Sequence, residues 1–164
     1  MEKNNADSLP ILLSSELLIR FSDCDPFNHL NNSKYIDYFL NAREDQLLQY
    51  YNLDLFAYSK TTGCAWVVGQ HKIAYLKPAL TMEKVIIEST IVEWNANNTL
   101  VEFKMWNNEK TKLKALMWTY FHYYNLATQK SELHPQEINT KFKLLENTEI
   151  TSRVFEERLL QFKM

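Results

Sequence analysis

Apolar and polar residues alternate across residues 16–22, with Leu17, Ile19 and Phe21 on one side, and this period of two predicts a strand. Residues before about Ser14 carry Asn, Asp, Ser and Pro with little periodic apolar content, so they are expected to form a loose arm. Between residues 31 and 53 the repeat changes. Tyr35, Ile36, Phe39, Leu40, Ala42, Leu47 and Leu48 recur at helical spacing with no Gly or Pro, which predicts one long helix. Its apolar residues cover more than one stripe, as expected of a helix wrapped by a sheet.

From Ala65 the period of two returns and persists. Residues 65–77 (ending at Pro78), 84–94, 99–107 and 113–125 predict four long strands, the last three joined by tight turns across 95–98 and 107–110. In the last strand Leu113, Ala115, Met117, Thr119, Phe121 and Tyr123 are expected on one face. Leu116, Trp118, Tyr120, His122 and Tyr124 fall on the other, and both faces are rich enough in large side chains to need cover. After His134-Pro135 the pattern is helical again, with a stripe of Phe155, Leu159 and Phe162 that requires burial. One helix packed on one curled antiparallel sheet is an α+β fold. The chain divides into an arm (1–14), a single domain (15–138) and a C-terminal helical extension (139–164).

Composition changes this picture in two ways. Nine Tyr, nine Phe and four Trp stand against two Gly, so turns that need positive φ are expected to use Asn or Asp. A net charge of -2 with interspersed signs offers no basic stripe for nucleic acid. Two cysteines make no disulfide framework, and the apolar run Ile11-Leu12-Leu13 is too short for a membrane span or a signal core. A cytoplasmic protein with no membrane association is the expectation.

Chemistry concentrates in Asp23-Cys24-Asp25-Pro26-Phe27-Asn28-His29-Leu30-Asn31-Asn32, just ahead of the long helix. Taken by themselves, Asp and Asn here also suit a plain turn and helix N-cap. A metal site on Asp23, Asp25 and His29 is disfavoured because alternate residues of an extended segment point apart and no second ligand cluster follows. Two flanking carboxylates disfavour the Cys24 thiolate as a nucleophile. Asn31-Asn32-Ser33 stand where the helix begins, so unpaired backbone N–H groups there suit a developing oxyanion.

The spacing Asp23-x-Asp25-x-x-x-His29-x-Asn31-Asn32-x-x-Tyr35, with Ala42-Arg43 in the following helix and Ile73-Ala74-Tyr75-Leu76-Lys77-Pro78 later, resembles the hotdog-fold acyl thioesterases. The branch it is most similar to includes 4-hydroxybenzoyl-CoA thioesterase and acyl-CoA thioesterases. The resemblance spans residues 16–138. It implies a central helix wrapped by an antiparallel sheet, dimers joined edge to edge or tetramers of them, sites at the dimer interface, and no cofactor or metal. It carries the catalytic carboxylate onto Asp25, as nucleophile or as general base on water. The backbone N–H of Asn32 would meet the oxyanion, and His29 would orient the carbonyl, the water or Asp25. Asn31 and Tyr35 of the same motif, with Lys77, are expected to bind substrate, the lysine by meeting CoA phosphates as Lys72 and Lys84 could also do. A thiol leaves with pKa near about 8.5, so one carboxylate plus oxyanion donors suffices.

The family often has Gly where this chain has Asn28, which tolerates left-handed backbone. Relatives that act on acyl-ACP carry Asn where Phe27 stands, so the expected reaction is acyl-CoA hydrolysis to free acid and CoA. Acyl-ACP hydrolysis and a non-catalytic acyl-binding or assembly subunit are the alternatives. Many relatives also carry an acid where Leu40 and Asn41 stand. Arg43 is therefore expected either to meet an internal acid, with Asp23 as the candidate, or to snorkel to the surface. His71 could reach a partner's site but is expected to be structural, as are His122 and His134.

Overall fold

The computed structural model describes residues 8–163. Strand β1 (Leu13–Leu18) leads into the polar loop, then helix α1 (Tyr35–Tyr51), helix α2 (Leu55–Thr62) and strands β2 (Cys64–Tyr75), β3 (Lys84–Trp94), β4 (Asn98–Asn107) and β5 (Leu113–Asn125). A short β6 (Lys130–Ser131) pairs with β5, and helices α3 (Gln136–Leu145) and α4 (Phe155–Leu160) follow. The antiparallel sheet runs β1-β3-β4-β5-β2, so β2 is an edge.

Three boundaries differ from the sequence reading. β1 occupies residues 13–18, not 16–22, because its ladder partner β3 begins at Lys84, opposite Leu18. Of the expected loose arm, residues 1–7 lie outside the described residues, and the rest is held down in part: Leu13 is fully buried, Tyr51 donates to the Pro10 carbonyl at 2.6 Å, and Thr90 donates to that of Ile11 at 2.9 Å. The long helix stops at Tyr51 and a second one follows. Asn52, at φ 51°, ends α1 as a left-handed cap with its N–H on the Leu47 carbonyl, and Asp54 caps α2 by accepting from the Ala57 N–H at 2.9 Å. Among the described residues, Asn thus serves at two of the five positive-φ non-glycine positions, Asn28 and Asn52; Met82, Lys110 and Gln129 occupy the others.

The inner sheet face packs Ile87, Val101, Phe103, Met105 and Met117 against Tyr35, Phe39 and Ala42 of α1. The outer face packs Val92, Leu100, Leu116 and Trp118 under Ile150 and Phe155, with Leu159 and Phe162 alongside. The C-terminal stripe therefore covers its own sheet. Leu113 departs from the alternation and joins the outer cluster, because a bulge between Met105 and Trp106 shifts the β4–β5 register and pairs Leu113 with Trp106. This is the hotdog fold: a curled antiparallel sheet wrapping a long central helix, with a helical C-terminal extension. No helix among the described residues is long and apolar enough to cross a membrane.

Candidate active site

The polar loop closes by short-range bonds that its residue types favour. A 3₁₀ turn over Phe21–Asp23 places the Cys24 N–H on the Phe21 carbonyl at 3.1 Å. Asn28, at φ 61°, turns the chain so that its N–H reaches the Asp25 carbonyl at 3.0 Å and the Asp25 N–H reaches the His29 carbonyl at 2.8 Å. Asparagine thus supplies the left-handed turn expected of it from the sequence. The loop is pinned to the β2–β3 connection by Leu30 N–H on the Ala79 carbonyl, 2.8 Å, and Thr81 N–H on the Asn28 carbonyl, 2.9 Å.

These bonds fix one oxygen of Asp25. Its Oδ1 accepts from the Phe27 N–H at 2.9 Å and the His29 N–H at 3.2 Å. Among the described residues nothing donates to Oδ2, and the half-buried carboxylate borders a cavity of about 260 Å³. His29, Asn32, Tyr35, Tyr75, Lys77 and Pro78 border the same cavity. The His29 ring has no hydrogen-bond partner among the described residues, so both ring nitrogens remain free for a ligand or water.

Asn32 opens a 3₁₀ turn (Asn32–Lys34) that runs directly into α1. Its backbone N–H is one of the unpaired donors at a helix start. Its carbonyl accepts from the Tyr75 hydroxyl at 3.0 Å, which fixes the Asn32–Ser33 peptide, the next one along from the peptide that carries the Asn32 N–H. Tyr35 is buried and its hydroxyl accepts from the Ala79 N–H at 3.0 Å; burial pushes its ionisation up, so it stays a neutral wall. Tyr35 and Tyr75 meet edge to face at 5.1 Å.

Of the residues singled out in the sequence, Asp25, His29, Asn32, Tyr35 and Lys77 come together. Asn31 does not border the cavity. Its side chain caps the helix start, accepting from the Ser33 N–H at 3.0 Å and the Ser33 hydroxyl at 2.9 Å. Lys72 and Lys84 are turned to surface acids, Glu156 at 3.8 Å and Glu16 at 3.1 Å, which leaves Lys77 as the lysine at the pocket. Tyr75 was missed as a site residue. It ends β2 two places after Ile73 on the same face, partly open to solvent, and borders the cavity with Pro78.

Arg43 meets neither expectation. Asp23 Oδ2 accepts from the Tyr38 hydroxyl at 2.8 Å, whereas Arg43 lies five residues further along α1, about 7.5 Å along the axis at 1.5 Å per residue. Nor does it snorkel, being only 8% exposed, with Nη1 donating to the Ser89 hydroxyl at 3.0 Å. The remaining histidines have defined partners. The His71 Nδ1 pairs with the Thr119 hydroxyl at 2.8 Å, and His134 Nε2 accepts from Trp66 Nε1 at 3.1 Å while its Nδ1 lies 3.0 Å from the Asn95 carbonyl. Cys24 donates to the Arg20 carbonyl at 3.3 Å.

A search of curated protein sequences finds no significant match. Solved structures with the same fold are numerous. The chain superposes on the "Probable Thioesterase" YbaW of Escherichia coli with TM-score 0.71 at 23% identity, covering 82% of this chain and 99% of that one. For Slr0204, a 1,4-dihydroxy-2-naphthoyl-CoA thioesterase from Synechocystis, the TM-score is 0.72 at 18% identity over 82% and 95% of the two chains. For SAV2348 from Staphylococcus aureus, solved in complex with CoA, it is 0.75 at 12% identity over 87% and 94%. The model of the thioesterase-like superfamily matches residues 19–142, which takes in the Asp25 loop, the central helix and strands β2 to β6, and the chain belongs to that superfamily.

Proposed function

We propose that this protein hydrolyses an acyl-CoA thioester to a free acid and CoA at the Asp25 pocket. The observation that carries this reading is the pairing, in one cavity, of a carboxylate oxygen without a partner and an unpaired helix-start N–H. Asp25 Oδ2 takes a proton from water, whose oxygen attacks the thioester carbonyl carbon. The oxyanion develops toward the Asn32 N–H, the C–S bond breaks, and the leaving thiolate takes the proton from Asp25. His29 positions the attacking water. The same oxygen attacking directly would give a mixed anhydride, which hydroxylamine traps; trapping separates the two routes. Lys77 at the cavity meets the anionic carrier. The CoA held by SAV2348 and the CoA ester named for Slr0204 support this choice of carrier.

The working unit we infer is a dimer joined along β2, a twelve-residue edge strand with exposed Val68 and Tyr75. An edge of that length is a template for a second copy. Since α4 covers the outer sheet face, stacking two sheets face to face would require its displacement, which favours a dimer over a tetramer. An acyl-CoA panel from aromatic to long-chain esters, run beside acyl-ACP esters of the same groups, tests the reading. Hydrolysis of CoA esters that falls with Asp25→Asn supports it. Preference for ACP esters, or turnover of none in the panel, overturns it in favour of an ACP enzyme or an acyl-binding subunit.

A further inference from the structure

A second and larger cavity, about 490 Å³, lies between the C-terminal half of α1, α2, the inner sheet face and α3. Leu40, Leu47, Tyr51, Trp66, Phe121 and Phe142 form much of its wall, and none of the residues around the Asp25 pocket borders it. One residue on this apolar wall is out of place. Arg43 is 8% exposed and has five N–H donors, of which the described structure uses one, on Ser89. Its neighbour Glu44 is exposed, Asp23 is taken by Tyr38, and no carboxylate among the described residues pairs with the guanidinium. Burial without an anion lowers its pKa to about 10.

A buried cation without a counter-charge is a strongly unfavourable arrangement unless something supplies the anion. The walls here are mainly apolar; Glu44, Glu137 and Lys141 also line the cavity but are exposed, with Lys141 paired to Glu137 at 3.4 Å and neither acid on Arg43, so an anion that reaches the guanidinium must come attached to an apolar body. One guanidinium matches one carboxylate through two parallel hydrogen bonds. The size also limits the body: a cavity of about 150 Å³ holds benzene, so one about three times larger suits a tail of about 10–18 carbons.

We propose that this cavity binds an unesterified aliphatic carboxylic acid, its carboxylate on Arg43 and its tail against Leu40, Leu47, Trp66 and Phe142. The site is distinct from the Asp25 pocket and does not depend on turnover there. Such an acid belongs to the product class of the reaction proposed above, so occupancy of the cavity would report product to the same chain.

The test is a titration of the full-length protein with dodecanoic and hexadecanoic acids and with the matching primary alcohols, below their aggregation limits. Trp66 on the cavity wall gives a fluorescence signal, and calorimetry gives the stoichiometry. One acid per chain is expected, with the acid bound at least about tenfold more tightly than its alcohol, as befits a charge-assisted hydrogen-bonded pair. Arg43→Met should bring acid and alcohol within about twofold while leaving the urea midpoint unchanged or higher, since it removes an unpaired buried charge. Arg43→Lys should keep part of the preference. Asp25→Asn should leave acid binding untouched, which separates this site from the thioester pocket. Equal affinity for acid and alcohol in the wild type, non-saturable binding, or a preference that survives Arg43→Met would overturn the proposal.

Discussion

Arg158→Met is expected to destabilise the protein far more than a change so near the C-terminus ordinarily would. Glu102 on β4 is fully buried on the outer sheet face. Arg158 grips it with two bonds, Nε to Oε2 at 2.8 Å and Nη2 to Oε1 at 2.7 Å, while Trp118 Nε1 donates to Oε2 at 2.9 Å. Removing the guanidinium leaves a carboxylate in a dry site with one neutral donor, and breaking a buried pair in this way costs about 3–5 kcal/mol. The fold has one escape. If the segment carrying α4 lifts away, water reaches Glu102, but Ile150 and Phe155 lose their burial at about 1.5–3 kcal/mol each, so the total loss is capped near 3–6 kcal/mol. The double variant Glu102→Leu/Arg158→Met replaces the pair with apolar groups and should return to within about 1 kcal/mol of the wild type. Urea unfolding followed by tryptophan emission gives the three stabilities, and limited proteolysis after Ile150 reports lifting of α4. A single variant within about 1 kcal/mol of the wild type, or a double variant no better than the single, would refute the reasoning.

Trp66 donates to His134 Nε2, which makes Nδ1 the protonated nitrogen facing the Asn95 carbonyl, and burial lowers the pKa of His134 against a smaller opposing effect of that carbonyl; burial likewise lowers that of His71. A native histidine that resists its proton contributes nothing above the ordinary value of about 6.5, and stability declines as pH falls below it. The urea midpoint should therefore drop between pH 7.5 and 5.5, and less so in His134→Gln; a midpoint flat over that range would contradict the assignment. Burial raises the Glu88 carboxyl, but Lys110, Lys104 and Trp106 outweigh it and hold the net value below 4.5, so its contribution is lost only at lower pH. Tyr75→Phe removes the donor on the Asn32 carbonyl, a bond worth about 0.5–1.5 kcal/mol, and should lower kcat by up to about tenfold with KM little changed. A KM effect alone would place Tyr75 in binding only.

The strands and the central helix were legible because their periods are long and uninterrupted, and the Asp25 loop because its spacing places turn chemistry directly before a helix. What escaped the sequence was decided by pairing and by distance. The end of β1 depends on where β3 begins, and the face of Leu113 on one bulge. The break at Asn52 carries no Gly or Pro, so a left-handed Asn had to be seen in place. Arg43 reads as half of an ion pair until the helix rise puts Asp23 out of reach, and the burial of the C-terminal stripe depends on Glu102, a charged residue inside an otherwise alternating strand.

The central claim is that the free oxygen of Asp25 drives thioester cleavage. The most direct measurement is kcat/KM of purified wild type and Asp25→Asn on the best acyl-CoA ester of the panel, with folding verified by the urea midpoint. A loss of at least about 10²-fold, the range for a positioned acid–base group, is predicted; a folded Asp25→Asn protein within about threefold of wild type would contradict it.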